Sequence, residues 1–176
     1  DPKEVRKLDP FSIYALVSSI EAVESAKLDL QNSNLDRMGV IIGCGIGGIK
    51  TLENEHDIIN RKGARRVSPQ FVAKMIPNIA GGHLSMRFGF RGPSQTVISA
   101  CASSNDAIGI ALRLIRYGDA DVILTGGTEA SITPLTIAGF GNMRALSQNC
   151  ENPTKASRPF DADRDGFVLS EGAGMI

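Results

Sequence analysis

Apolar positions along the chain recur at two different spacings, and the switches between them divide it into helices and strands. Asp9 and Pro10 supply an N-cap residue and a proline suited to the first helical position. Ile13, Leu16, Val17, Ile20 and Val23 then fall on one face of a helix. Val40, Ile41 and Ile42 form a short run with no polar interruption, the pattern of a strand buried on both faces of a sheet. The turn Gly43-Cys44-Gly45-Ile46-Gly47-Gly48 leads from it into a polar helix ending near Asn60. Residues 69–88 read as another helix, which Pro77 must kink or split because it lacks an N–H and clashes with the preceding turn. β-Branched Thr96, Val97 and Ile98 follow the Gly92-Pro93 turn as a strand. Ala107, Ile110, Ala111, Leu114 and Ile115 return to helical spacing over residues 103–117, with Gly118 as the stop. Asp121 to Thr125 form a further strand with Gly126-Gly127 behind it, residues 133–159 read as loop-rich, and residues 166–170 read as a last strand. The succession of helix, strand, helix, helix, strand, helix, strand predicts a layered α/β arrangement.

Composition narrows the partners. The 176 residues suffice for one domain with its own core, and 42% hydrophobic with 22% charged residues describe an ordinary globular chain. A net charge of +0 supplies no bulk field for nucleic acid or an anionic membrane, so neither is expected. No apolar run approaches a membrane span and no signal peptide opens the chain. Cys44, Cys101 and Cys150 are widely spaced and odd in number, unlike a disulfide framework or a metal site, which fits a reducing cytoplasm and no metal. The chain starts at Asp1 without methionine and stops at residues 172–176 inside an apparent strand, which points to a fragment.

The candidate chemistry centres on Cys101. It stands where the strand gives way to the helix beginning near Ser103, facing that helix's unpaired N–H groups and positive dipole end. That field favours the thiolate, which is the nucleophilic form, in the manner of a nucleophile elbow built with sulfur. A buried structural thiol is the alternative. His83 offers a base for a cysteine-hydrolase dyad, against the commoner fate of a hydrogen-bonded helix histidine.

Two other patterns fail on their missing parts. Gly43, Gly45 and Gly48 satisfy the dinucleotide spacing G-x-G-x-x-G. The strand-end acid required about twenty residues on is absent from Gly63-Ala64-Arg65-Arg66-Val67-Ser68, so close backbone packing explains the glycines better. Asp161, Asp163, Asp165 and Gly166 open like a calcium loop, but its twelfth position is Gly172 rather than glutamate. Turns and local ion pairs with Arg158 and Arg164 are expected there instead.

Taken together, several stretches carry a resemblance. They include Leu8-Asp9-Pro10-Phe11, the Gly43 to Gly48 turn, Arg65-Arg66-Val67-Ser68-Pro69, Gly81-Gly82-His83-Leu84 and Ser99-Ala100-Cys101-Ala102-Ser103. Tyr117-Gly118-Asp119-Ala120-Asp121, Gly139-Phe140-Gly141, Arg144-Ala145-Leu146-Ser147 and Ser157-Arg158-Pro159-Phe160-Asp161 continue it. In this order the chain resembles the β-ketoacyl-acyl-carrier-protein synthases of the thiolase superfamily, most closely the elongating type II. The resemblance implies a thiolase-like αβαβα fold of which residues 1–176 form most of the N-terminal half, without its opening strand. It implies that Cys101 accepts an acyl chain and that Ile46 and Phe71 border an acyl tunnel, Phe71 reaching across a homodimer interface. Phe140 is implied as a gate beside the nucleophile. Lys3, Arg6, Lys7, Arg65, Arg66 and Arg144 are implied to receive the acidic acyl carrier protein, and local basic clusters on a neutral chain suit such a partner. No cofactor is implied beyond the carrier's own phosphopantetheine. The decarboxylating histidines, a lysine and a second oxyanion N–H are expected beyond Ile176. A polyketide chain-extending synthase, a non-catalytic carrier-docking subunit and a dinucleotide-dependent oxidoreductase are the rival readings.

Overall fold

The uninterrupted apolar run at residues 40–42 lies in β1 (Met38–Gly43), every residue of which is buried. The computed structural model describes residues 2–176. β2 (Ser94–Val97) and β3 (Val122–Glu129) flank β1, both parallel to it, and β4 (Gly172–Met175) runs antiparallel along β3. The sheet order is β2-β1-β3-β4. Parallel neighbours need long crossovers, and helices supply them. Between β1 and β2 run α3 (Ile49–Lys62), α4 (Phe71–Met75) and α5 (Ile79–Phe88), and between β2 and β3 runs α6 (Ser103–Arg116). Ahead of β1 lie the short α1 (Pro2–Val5) and α2 (Pro10–Ser25), and α7 (Pro134–Asn142) follows β3.

Alternation along β1 divides the core in two. Met38, Val40 and Ile42 pack with Phe11 and Ala15 of α2 and with Ala80 and Leu84 of α5. Ile41 packs with Ala107 and Ala111 of α6, together with Ala120 and Ile123. Alanines on the inner face of α6 let that helix lie close to the strands. Its neighbouring stripe of Ile108, Leu112 and Ile115 is exposed. Among the described residues no helix is long and apolar enough to cross a membrane.

Pro77 does split the expected helix: Ile76 is extended, as a residue before proline should be, and α4 and α5 lie on either side. Other expectations are corrected. Asp9 precedes α2 at the N-cap position, yet its side chain makes no capping bond there. Its buried carboxylate instead accepts from Thr51 N (3.1 Å) and Thr51 Oγ1 (2.6 Å), in the first turn of α3. The buried face of α2 is Phe11, Ser12, Ala15 and Ser19 rather than Ile13, Val17 and Ile20, and Val17 stays 52% exposed. α2 packs directly on β3 and β4, an approach that small side chains permit and branched ones obstruct.

The loop-rich reading of residues 133–159 misses α7, which Thr133 and Thr136 begin with a reciprocal capping box ahead of Pro134. The strand expected at residues 166–170 is reduced to one bridge between Leu146 and Phe167, whereas the apparent strand at residues 172–176 is formed as β4. β3 also continues through Gly126 and Gly127 to Glu129, beyond the expected Thr125. Ile98, by contrast, falls outside β2 and is exposed. At the rejected calcium pattern Arg158 pairs with Asp165 (3.1 Å), whereas Arg164 donates to the Asp161 carbonyl rather than to a carboxylate. No cluster of potential metal ligands occurs among the described residues.

Candidate active site

Cys101 stands on a tight turn between β2 and α6. Ala102 N–H donates to the Ser99 carbonyl (3.1 Å) and Ser103 N–H to the Ala100 carbonyl (3.2 Å). The buried Ser103 hydroxyl also donates to the Ala100 carbonyl (2.7 Å) while accepting from Ser99 N–H (2.9 Å). These bonds hold Ala100 at φ 51°, a left-handed conformation that alanine adopts only at a cost of about 1 kcal/mol. Strain of this kind is sustained where the surroundings over-determine the backbone, and here it lifts the next residue, Cys101, into an exposed position. Ala102 occupies the N-cap of α6 and supplies no side-chain capping bond. The positive end of the helix is therefore left to act on whatever negative charge develops at the sulfur. Cys101 N–H has no hydrogen-bond partner among the described residues and is available to an oxyanion.

The sulfur-bearing turn borders a cavity of about 830 Å³ at the carboxyl ends of the parallel strands. Ile46, Ile98, Ile108, Phe140, Phe167 and Leu169 give it apolar walls. Phe140 is fixed edge-on against Phe167, with ring centroids 5.2 Å apart. The fold thus brings Ile46, from the turn after β1, and Phe140, from α7, onto the same cavity as Cys101. Phe71 begins α4, is half-buried, and does not line this cavity. No histidine lines it either. His56 is exposed and bonded to Asn60, and His83 on α5 is half-buried, with burial lowering its pKa. The cysteine–histidine dyad is not formed.

The glycine turn after β1 explains why its dinucleotide spacing leads nowhere. Gly45 N–H (2.8 Å) and Ile46 N–H (3.0 Å) donate to Glu129 Oε2, and Gly47 N–H (3.3 Å) donates to Glu129 Oε1. Successive N–H groups of this kind make an anion cradle, and the chain's own carboxylate fills it. A side chain at Gly45 would crowd the Glu129 carboxylate, and one at Gly48 would strike the Lys74–Met75 backbone. Sequence reasoning missed Glu129 because the acid it sought lay twenty residues on, not 84 residues away at the end of another strand. Cys44, beside this carboxylate, is buried, and burial together with the Glu129 charge pushes its thiol up to about 12.

The basic residues lie on the surface. Lys3, Arg6 and Lys7 are exposed on and after α1, and Lys74 of α4 donates to the Arg6 carbonyl (3.3 Å), so this segment adjoins α4. Arg65 and Arg66 are exposed in a 3-10 turn between α3 and α4. Arg144 is exposed after α7 at φ 56°, where Arg144 N–H bonds Gly141 O and Ala145 N–H bonds Phe140 O. That is a Schellman ending whose left-handed position usually holds glycine.

Residues 1–176 match the family described as "Beta-ketoacyl synthase, N-terminal domain". The chain is 49% identical over its whole length to 3-oxoacyl-[acyl-carrier-protein] synthase 2 of Staphylococcus aureus strain N315, and 46% identical to the protein of that name from Synechocystis sp.. It spans 42% of the length of each. Among solved structures it resembles a beta-ketoacyl synthase from Burkholderia phymatum, with TM-score 0.86, 29% identity, and coverage of 99% of this chain and 43% of that one. A second neighbour is the ketosynthase of a type II PKS complex with its acyl-carrier protein, with TM-score 0.80, 26% identity, and coverage of 98% and 47%. These neighbours have the thiolase-like fold, and the chain covers their N-terminal part.

Proposed function

Because this chain belongs to the β-ketoacyl synthase family, as its N-terminal domain, we propose that it carries the acyl-accepting half of a 3-oxoacyl-[acyl-carrier-protein] synthase of fatty-acid elongation. The observation that carries the reading is Cys101, exposed at the mouth of α6 on an apolar cavity able to take an alkyl chain. Its thiolate attacks the carbonyl of an acyl group borne on the carrier's phosphopantetheine, and the carrier thiol leaves. Malonyl-carrier protein then loses carbon dioxide, and its carbanion attacks the Cys101 thioester. The products are the Cys101 thiolate and a 3-oxoacyl chain two carbons longer. A thioester intermediate divides one difficult step into two, and the positive end of α6 faces the negative charge that develops at the sulfur.

In this reading Ile46 and Phe140 bound the acyl chain, and Phe71 meets it from the partner of a homodimer. Decarboxylation falls to histidines of a second half. The exposed stripe of Ile108, Leu112 and Ile115 supports such a half, because it leaves α6 with a second apolar face, as a helix between two sheets requires. The enzyme works in the cytoplasm, where its free thiols stay reduced. The identity of 49% to a 3-oxoacyl-[acyl-carrier-protein] synthase 2 over the whole chain supports the fatty-acid reading ahead of the polyketide one.

The test uses the full-length protein with acyl- and malonyl-carrier protein as substrates. A 3-oxoacyl product is expected, with an acyl group found on the Cys101 peptide by mass spectrometry. An acylated Cys44 or Cys150, or no transfer from any carrier-borne acyl group, would overturn the reading.

Docking has its own test. Reversing Arg65 and Arg66 to Glu is expected to raise the KM for acyl-carrier protein about tenfold and to flatten its salt dependence. Arg144→Gly should weaken docking without loss of thermal stability, since it gives the left-handed position the residue it favours. Equal losses on a small acyl thioester lacking the carrier would instead place these arginines in folding or in the pocket.

A further inference from the structure

Ile46 forms part of the Cys101 cavity wall, yet it sits on a turn rich in glycine, a poor support for a rigid wall. What holds the turn is not local. Glu129, at the end of β3, accepts three successive backbone N–H groups of residues 45–47, and Ser131 Oγ donates to the same carboxylate (3.1 Å). Cys44 Sγ lies 3.9 Å from Glu129 Oε1. No cation pairs with Glu129 among the described residues, so its charge is met by three backbone N–H dipoles and the Ser131 hydroxyl. Bonds to a charged acceptor are about twice as strong as neutral ones, and three on consecutive residues leave the turn little freedom.

We propose that Glu129 is a positioning residue that sets acyl-chain selectivity by holding residues 45–47, and with them Ile46, at the wall of the Cys101 cavity. The inference rests on the reading of Cys101 as the acyl acceptor. Glu129 touches no reacting atom. It acts through Ile46, whose side chain has to stay in place for chains of different length to meet different contacts. Glu129→Gln keeps the size but replaces one acceptor oxygen with an amide that faces N–H donors, so the turn loosens. Glu129→Asp keeps the charge and withdraws it by one methylene.

The experiment measures kcat/KM of the full-length protein for a short and a long saturated acyl-carrier-protein substrate. Glu129→Gln is expected to shift the ratio between the two by about threefold or more, with Glu129→Asp closer to wild type. A ratio changed by less than about threefold, whether the overall rate is kept or uniformly lowered, overturns the proposal. A second measurement does not depend on catalysis. Amide hydrogen exchange of the full-length protein should be about tenfold faster at residues 45–47 in Glu129→Gln than in wild type, because those N–H groups lose a charged acceptor. If the wild-type protein accepts no acyl group at all, the reaction reading fails by itself. The exchange rate of residues 45–47 then still decides on the anchor: acceleration upholds it, and an unchanged rate overturns it.

Discussion

Replacing Cys101 by alanine in the full-length protein should lower condensation by a factor of about 10³ or more, with no acyl-enzyme detectable by intact mass. The expectation follows from where the residue stands. Its turn is held by bonds among Ser99, Ala100, Ala102 and Ser103, none of which uses the sulfur. The side chain is exposed, so its truncation opens no buried cavity and the melting temperature should be unchanged. Loss of activity with an intact fold therefore reports on the nucleophile. Alanine leaves no group able to form a thioester, and the remaining N–H groups have no tetrahedral intermediate to stabilise. Activity retained within tenfold would mean that the acyl group transfers directly between carriers and that Cys101 only lines the cavity.

The three thiols should differ sharply in reactivity. With limiting iodoacetamide at pH 8, peptide mapping should find Cys101 labelled first, Cys150 later and Cys44 last. Cys101 and Cys150 are both exposed, but only Cys101 stands at a helix N-terminus. Cys44 is buried beside the Glu129 carboxylate, which pairs with no cation among the described residues, and burial together with that charge pushes its thiol up to about 12. At pH 8 roughly one Cys44 in 10⁴ is a thiolate, so its labelling should trail by orders of magnitude. The sign for stability follows. A raised thiol pKa means that the fold favours the protonated form. The contribution is complete below about 9 and is lost as pH rises toward about 12. Cys44→Ala should accordingly flatten the fall in melting temperature above pH 9. Preferential labelling of Cys150 would count against the nucleophile.

Much of the fold can be read along the chain because its signals are local. The apolar run at residues 40–42 admits only a strand buried on both sides, and Pro77 divides the long helix for steric reasons that no tertiary contact can remove. The strand-to-helix turn at Cys101 was predictable in the same way, since β-branched residues give way to helical spacing within a few positions. α7 carried a readable start in Thr133, Pro134 and Thr136, but the glycines within it obscured the helical spacing.

What failed to show in the sequence depended on distance. β4, legible as an apparent strand at residues 172–176, is built of glycine, alanine and methionine with little preference of its own, and its antiparallel place along β3 shows only in the sheet, where Gly127 and Gly126 lie opposite it. The most buried positions of α2 went to Phe11, Ala15 and Ser19, while Leu16 and Val23 of the expected stripe pack at the edge of the core and Val17 stays exposed, because the helix is turned toward β3 and β4. Asp9 turned from its own helix to serve α3, 42 residues on, once folding had put Thr51 within reach. Glu129 gave no local sign of its task, since an acid at a strand end has no address until the sheet lays that end beside the turn after β1. The sequence alone determined that Cys101 stands between a strand and a helix, because periodicity and turn chemistry act over a few residues. Only the tertiary structure decided what surrounds that residue, because a cavity wall and a filled anion cradle are made from chain segments whose proximity is created by packing.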